Sequence, residues 1–340
     1  MRVAVIGAGG WGTALSVVAA RAGCEVRLWS RNAAVVDEVN HARVNSAYLG
    51  SHEIPEGVYA TGEAREALRG AEVVVLAAPS HATREVLKGM SAAVEPGMVY
   101  VSATKGVEVE TGKRISEVVG EVLGQAAATR FVCLSGPSFA HEVAAGQPTA
   151  VVAACDDESL ARLVQSALSA QNFRVYTNPD VVGAELGGAS KNVMALAAGM
   201  LAGLGLGTNS VAALVTRGLA EMTRLALAEG ARLETLMGLA GLGDLVLTCT
   251  GSLSRNRFVG QELGRGRALE DVLAGMKEVA EGVRTTRAIK LLAERRGVEL
   301  PITNEVHAVL YESKSVRAAV ESLMARPLRD EFEGRRLSDE

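Results

Sequence analysis

Apolar and polar positions follow two regimes along the chain. In the first half, short apolar runs recur between longer mixed stretches, at residues 2–6, 25–29, 72–77, 98–102, 131–134, 150–154 and 173–177. Most are rich in β-branched residues, and each is short enough for a buried strand. The stretches between them carry helical spacing, so the pattern predicts strands alternating with helices in a doubly wound parallel sheet. After Asn178-Pro179-Asp180 the runs stop and helical patterns take over, including 216–228 and 283–295. That turn is the expected domain boundary, with one unit over 1–178 and an all-helical one over 179–340. The charged tail from about Arg329 is expected to fray.

The first run leads directly into Gly7, Gly9 and Gly12, spaced G-x-G-x-x-G, and then into a helical stretch. Strand, glycine turn and helix in that order are what a dinucleotide-binding turn requires. Gly7 permits the tight turn, Gly9 the approach of a pyrophosphate, and Gly12 close contact of helix and strand. The helix then aims its first amides at the phosphates. The expected class is therefore α/β, a Rossmann-type doubly wound parallel sheet followed by an all-α C-terminal domain. The second run ends in Ser30-Arg31-Asn32, with no carboxylate before Asp37. A carboxylate there accepts from the ribose 2′-hydroxyl of NAD; an arginine suits a 2′-phosphate. Arg31 thus favours NADP(H), with NAD(H) use open and a solvated strand-end arginine as the alternative.

Length and composition narrow the setting. A chain of 340 residues, 48% hydrophobic and 22% charged, has enough apolar sequence for two cores. A net charge of −4 gives no reason to expect nucleic acid or an anionic membrane as partner. Two uncharged stretches, 3–20 and 192–216, imitate membrane segments, but glycines interrupt both and neither is expected to span a bilayer. The second reads as two helices in a domain core or in the interface of a homodimer. The four cysteines form no C-x-x-C pair and no metal site, which suits a reducing cytoplasm. Cys249, nearest the polar residues described next, is the one candidate for a reactive thiol.

Candidate chemistry collects at strand ends and in the helical half. Lys105, after the fourth predicted strand, is a lone cation at the crevice where phosphates are expected; the alternative is a solvated surface lysine. Gly187-Gly188-Ala189-Ser190-Lys191-Asn192 is expected at or near a helix start. Burial there would lower the Lys191 pKa and ready it for proton transfer or carbonyl polarisation; the alternative is an ammonium snorkelling outward. Asp244, in a Gly-Leu-Gly-Asp-Leu turn, needs a partner if buried, and Lys191 is the candidate. Ser254-Arg255-Asn256-Arg257 concentrates donors for a phosphate or carboxylate, or is simply a solvated basic loop.

GAGGWGTAL, ATKG, SGPSFAHEV, FRVY, GGASKN, TRGLAEM, GLGDLVLTCT and SRN occur in that order. As an ordered set they resemble the bacterial NAD(P)-dependent glycerol-3-phosphate dehydrogenases, from the first residues to about 302. The resemblance implies reversible reduction of dihydroxyacetone phosphate to sn-glycerol 3-phosphate, in service of phospholipid synthesis, with no metal. It implies Lys191 as the catalytic acid/base, with Asp244 beside it and Lys105 touching both cofactor and substrate. Gly136, Ser138, Ser254, Arg255 and Asn256 match substrate contacts. Gly10, Trp11, Arg31, Ala140, Arg255 and Glu281 match cofactor contacts. Ala202, where the family often has aspartate, and Ser210, in place of a common alanine, depart from the pattern away from this chemistry. A 3-hydroxyacid dehydrogenase, a ketopantoate reductase and a non-catalytic dinucleotide sensor remain as alternatives.

Overall fold

The computed structural model describes residues 1–276, 280–328, 330 and 331. All but two residues of the tail expected to fray lie outside them. Eight strands form one sheet in the order β3-β2-β1-β4-β5-β6-β7-β8. They are β1 (Arg2–Ile6), β2 (Glu25–Trp29), β3 (Val58–Thr61), β4 (Val73–Leu76), β5 (Val99–Ser102), β6 (Phe131–Ser135), β7 (Thr149–Ala154) and β8 (Phe173–Asn178). The helices that shape the site, numbered among themselves, are α1 (Gly10–Arg21), α2 (Ser80–Met90), α3 (Ile115–Leu123), α4 (Ala140–Ala144), α5 (Val181–Gly203), α6 (Thr208–Ala228), α7 (Asp244–Thr250), α8 (Arg255–Gly264) and α9 (Glu281–Arg296).

Two features of the sheet differ from the sequence reading. Strand β3 was not foreseen; it is a four-residue edge strand whose Tyr59 faces solvent, too short to stand out as an apolar run. The sheet is also not parallel throughout, because β7 runs antiparallel to β6. The connection over 136–148 holds only the five-residue helix α4. That is too little helix for the long crossover that usually returns the chain for a parallel strand.

Alternation along β1 sends Val3 and Val5 to a core with Leu15 and Val18 of α1, and Ala4 and Ile6 to the opposite core with Met90 of α2 and Val118 of α3. The tight α1 contact needs its glycines. Gly7 has φ +117°, and a Cβ on Gly12 would stand 1.8 Å from the Gly7 carbonyl oxygen. The helical half has its own core, yet Ala184 of α5 joins Cys133 and Val152 on the sheet, while Val107 from the loop after β5 enters the helical core.

The α5 helix starts earlier than its Gly-Gly pair suggested. Asp180 accepts from the Gly183 amide at 2.8 Å and caps the helix there, which places Lys191 in the middle of α5 rather than near its start. The uncharged stretch breaks between α5 and α6, and its residues 192–200 are buried within the chain itself. Helices α5 and α8 meet backbone to backbone. A Cβ on Gly199 would lie 2.0 Å from the Arg257 carbonyl oxygen, and one on Gly260 would lie 2.0 Å from that of Leu196. This contact brings the first turn of α8 alongside Asn192.

Candidate active site

Asp244 is fully buried, and it is the first residue of α7 rather than part of an open turn. Its carboxylate sits between two ammonium groups. Lys191 Nζ donates to Oδ1 at 2.5 Å, and Lys105 Nζ donates to Oδ2 at 2.8 Å. Lys191 also donates to Thr248 Oγ1 at 2.8 Å, and that hydroxyl donates in turn to the Asp244 carbonyl oxygen. Thr248 belongs to this site and was not singled out as a site residue from the sequence. Its signal is the four-residue spacing from Asp244, which matters only once α7 is recognised as a helix.

Donor arithmetic separates the two lysines. An ammonium has three N–H bonds. Lys105 directs its donors to Asp244, to the Gly136 carbonyl oxygen at 2.8 Å and to Ser138 Oγ at 3.3 Å. Lys191 engages Asp244 and Thr248, so one of its three protons is unassigned among the described residues. Burial lowers the Lys191 pKa to about 8; Asp244 pulls it up, and the charge of Lys105 pushes it down again.

A second set of contacts joins the loop of Lys105 to the helical half. Asn192 donates to the Lys105 carbonyl oxygen at 3.0 Å and accepts from Asn256 Nδ2 at 3.0 Å, while Asn256 Oδ1 accepts from the Gly282 amide at 2.9 Å. One N–H of Asn256 is thereby unassigned among the described residues. Ser254 caps α8 by accepting from the Arg257 amide at 3.2 Å. Arg255 is exposed at the start of that helix, and its charge draws down the Glu281 carboxyl, whose pKa burial pushes up. Glu281 accepts from the Ser80 amide at 2.9 Å, tying α9 to α2. Cys249 is buried behind Lys191 with its pKa pushed up to about 12, so it offers no reactive thiolate.

The dinucleotide side fits its expected occupant. No side chain caps α1, so the amides of Gly10, Trp11 and Gly12 stand at a helix N-terminus with no side chain spent on them, and a Cβ on Gly9 would meet open space. Trp11 Nε1 is buried without a hydrogen-bond partner among the described residues, and Lys105 Nζ lies 5.9 Å from its ring centroid. A cavity of about 240 Å³ is lined by Ile6, Trp29, Val86 and Met90, with Arg31 among its lining residues. Its apolar lining suits a flat heterocycle and its guanidinium an anion. Ala140 opens α4, which packs against α1. Arg31 thus belongs to a separate pocket, whereas Lys105, Gly136, Ser138, Lys191 and Asp244 form one cluster.

Residues 2–161 match the family described as NAD-dependent glycerol-3-phosphate dehydrogenase N-terminus, and residues 180–321 match the corresponding C-terminus. The chain is similar to a glycerol-3-phosphate dehydrogenase [NAD(P)+] from Koribacter versatilis, 56% identical over 96% of this chain and 97% of the relative. Its structure is similar to that of a glycerol-3-phosphate dehydrogenase from Coxiella burnetii, with TM-score 0.91, 41% identity, and coverage of 96% of this chain and 99% of the other. A ketopantoate reductase from Ralstonia eutropha, 19% identical with TM-score 0.59 over 95% of this chain and all of the other, shares the fold. No helix among the described residues is long and apolar enough to cross a membrane.

Proposed function

The chain belongs to the NAD-dependent glycerol-3-phosphate dehydrogenase family, and on that premise we propose that it reversibly reduces dihydroxyacetone phosphate to sn-glycerol 3-phosphate with NADPH or NADH. The observation that carries the reading is the unassigned third proton of Lys191, on an ammonium already fixed by Asp244 and Thr248. The nicotinamide, when bound, would supply the hydride for the carbonyl carbon. Lys191 donates its free N–H to the carbonyl oxygen and passes that proton to the alkoxide. Asp244 holds Lys191 in place and keeps its ammonium charged. Lys105, near Trp11 on the dinucleotide side and bonded to Asp244, would serve both cofactor and substrate, and with its donors already engaged it would bind substrate by exchanging Ser138 or Gly136 for it. Arg255, with the free N–H of Asn256, takes the substrate phosphate beside the capped start of α8. Binding energy gained at that remote group aligns the reacting carbon. In cofactor binding, Gly7, Gly9, Gly10, Trp11 and Gly12 would hold the pyrophosphate, Arg31 would take a 2′-phosphate, and Ala140, Arg255 and Glu281 would contact the remainder.

The dinucleotide-binding unit is 1–178 and the helical unit runs from 179. The four cysteines are free and buried, which supports a cytoplasmic setting. The exposed Met237, Val246, Leu253 and Phe258 of the helical unit support a homodimer, and a sedimentation mass of one chain would overturn it. The product has the chemistry of the phospholipid backbone.

The assay follows loss of reduced-nicotinamide absorbance with dihydroxyacetone phosphate beside dihydroxyacetone. Turnover that depends on the phosphate is expected. Equal rates on both ketones, or none on either with NADPH still bound, would discard this substrate. Arg31→Asp is expected to lower the NADPH-to-NADH ratio of kcat/KM at least about tenfold by placing a carboxylate where the 2′-phosphate sits. An unchanged ratio would return Arg31 to solvent.

A further inference from the structure

The residues of the loop that presents Lys105 are tied alternately to the sheet unit and to the helical unit. Thr104 donates to the Ala78 carbonyl oxygen at 2.8 Å, and the Lys105 carbonyl accepts from Asn192. A Cβ on Gly106 would meet Ser80 Oγ at 2.7 Å, and Val107 is fully buried in the helical core. Glu108 then points back to the first unit. Its side chain is 7% exposed, and Arg84 of α2 grips it with a two-pronged contact, Nε to Oε1 at 2.7 Å and Nη2 to Oε2 at 2.9 Å. Thr111 Oγ1 donates to the same carboxylate at 2.6 Å. The Glu108 backbone closes the turn through the Lys113 carbonyl oxygen and the Gly112 amide, and Arg84 reaches on to Glu121 of α3 at 2.7 Å.

We propose that Arg84 and Glu108 are positioning residues for Lys105: their ion pair clamps the loop to α2 and so keeps the Lys105 ammonium on Asp244. The inference rests on the site reading given above. Val107 and Asn192 hold the loop against the helical unit only. The Arg84 fork supplies a charged, directional tie on the opposite side, to the helix whose first residue is held by Glu281. Without it the loop keeps its apolar anchor and the Thr104 hydrogen bond to Ala78 but loses its charged tie to α2.

A merely structural ion pair would leave the chemistry of Lys191 untouched. The clamp would not. Lys191 faces Asp244 and Cys249 of α7, Lys105 of the loop and Glu281 of α9. Of these, Lys105 is the positive neighbour that depresses its pKa, so a Lys105 that drifts off Asp244 lets that pKa rise. Around Glu108 the charged groups are Arg84 and Glu121, with Lys113 on Glu121.

The test compares the pH profile of kcat/KM for ketone reduction in Glu108→Gln, Arg84→Gln and the double variant, each checked for folding by thermal melting. The expected result is a fall of about tenfold in kcat/KM, with the alkaline limb moved to higher pH and the double variant no worse than either single one. Glu108→Asp should recover part of both. Arg84→Lys keeps the charge and loses the fork, so it should fold like the parent and show the same displacement in smaller measure. A limb that stays put in Arg84→Lys and Glu108→Gln, whatever the melting point does, overturns the proposal. Lys105→Met separates the failures. Wild-type kcat/KM in that variant overturns the site reading itself, while a crippled Lys105→Met beside an unaltered Glu108→Gln overturns the clamp alone.

Discussion

Lys191→Ala is expected to lower kcat for ketone reduction at least ~10²-fold, the usual scale for deleting a donor aimed at a developing oxyanion. Lys191 is 6% exposed in the middle of α5, so water cannot readily replace it as proton donor. The variant should still fold, because Asp244 keeps Lys105 as a partner and is not left as an unpaired buried charge. The wild-type pH profile follows from the same group. Reduction needs the ammonium, whose pKa is about 8, so the rate should hold below that pH and decline as pH rises through it. Oxidation of the alcohol needs the neutral amine and should rise over the same range. Near-normal turnover in Lys191→Ala, measured on a protein with the parent's melting point, would remove Lys191 from the mechanism.

Much of this was legible in the sequence because it depends on local order. The run over residues 2–6 followed by Gly7, Gly9 and Gly12 describes a strand, turn and helix with no help from distant residues, and the structure has them there. Direction within a sheet is another matter. The apolar run over 150–154 looks the same whether it lies parallel or antiparallel to its neighbour; the shortness of helix α4 decides, and that becomes visible only once the helix is measured. Gly187 and Gly188, just before the uncharged run, are expected at or near a helix start. In the structure they sit inside α5, where a Cβ on Gly187 would come within 2.5 Å of the Ala240 carbonyl oxygen. Close contact with another segment outweighed local propensity. Asn256 looked like a loose donor within a basic cluster. Its amide instead joins Asn192 to Gly282, partners far apart in sequence that no local pattern could pair.

Asp244→Asn should be as damaging to kcat as losing Lys191 and more damaging to the fold. The carboxylate is fully buried and accepts from both ammonium groups, so an amide in its place leaves two cations sharing one neutral oxygen. Removing one member of a buried ion pair costs roughly 3–5 kcal/mol. The lower part of that range is expected here, because the Lys105 side chain is 15% exposed and can turn towards solvent. The effect on chemistry has a definite sign. Of the influences on Lys191, burial and Lys105 push its pKa down and Asp244 pushes it up. Without Asp244 the pKa falls further, less of the ammonium is present at neutral pH, and the alkaline limb of the reduction profile moves to lower pH. That is opposite to the shift expected when the Arg84–Glu108 clamp is broken, although both changes slow the enzyme. Loss of activity alone would not tell the two apart, whereas the direction in which the limb moves does. An Asp244→Asn enzyme with the parent's limb would mean that this carboxylate does not set the charge on Lys191.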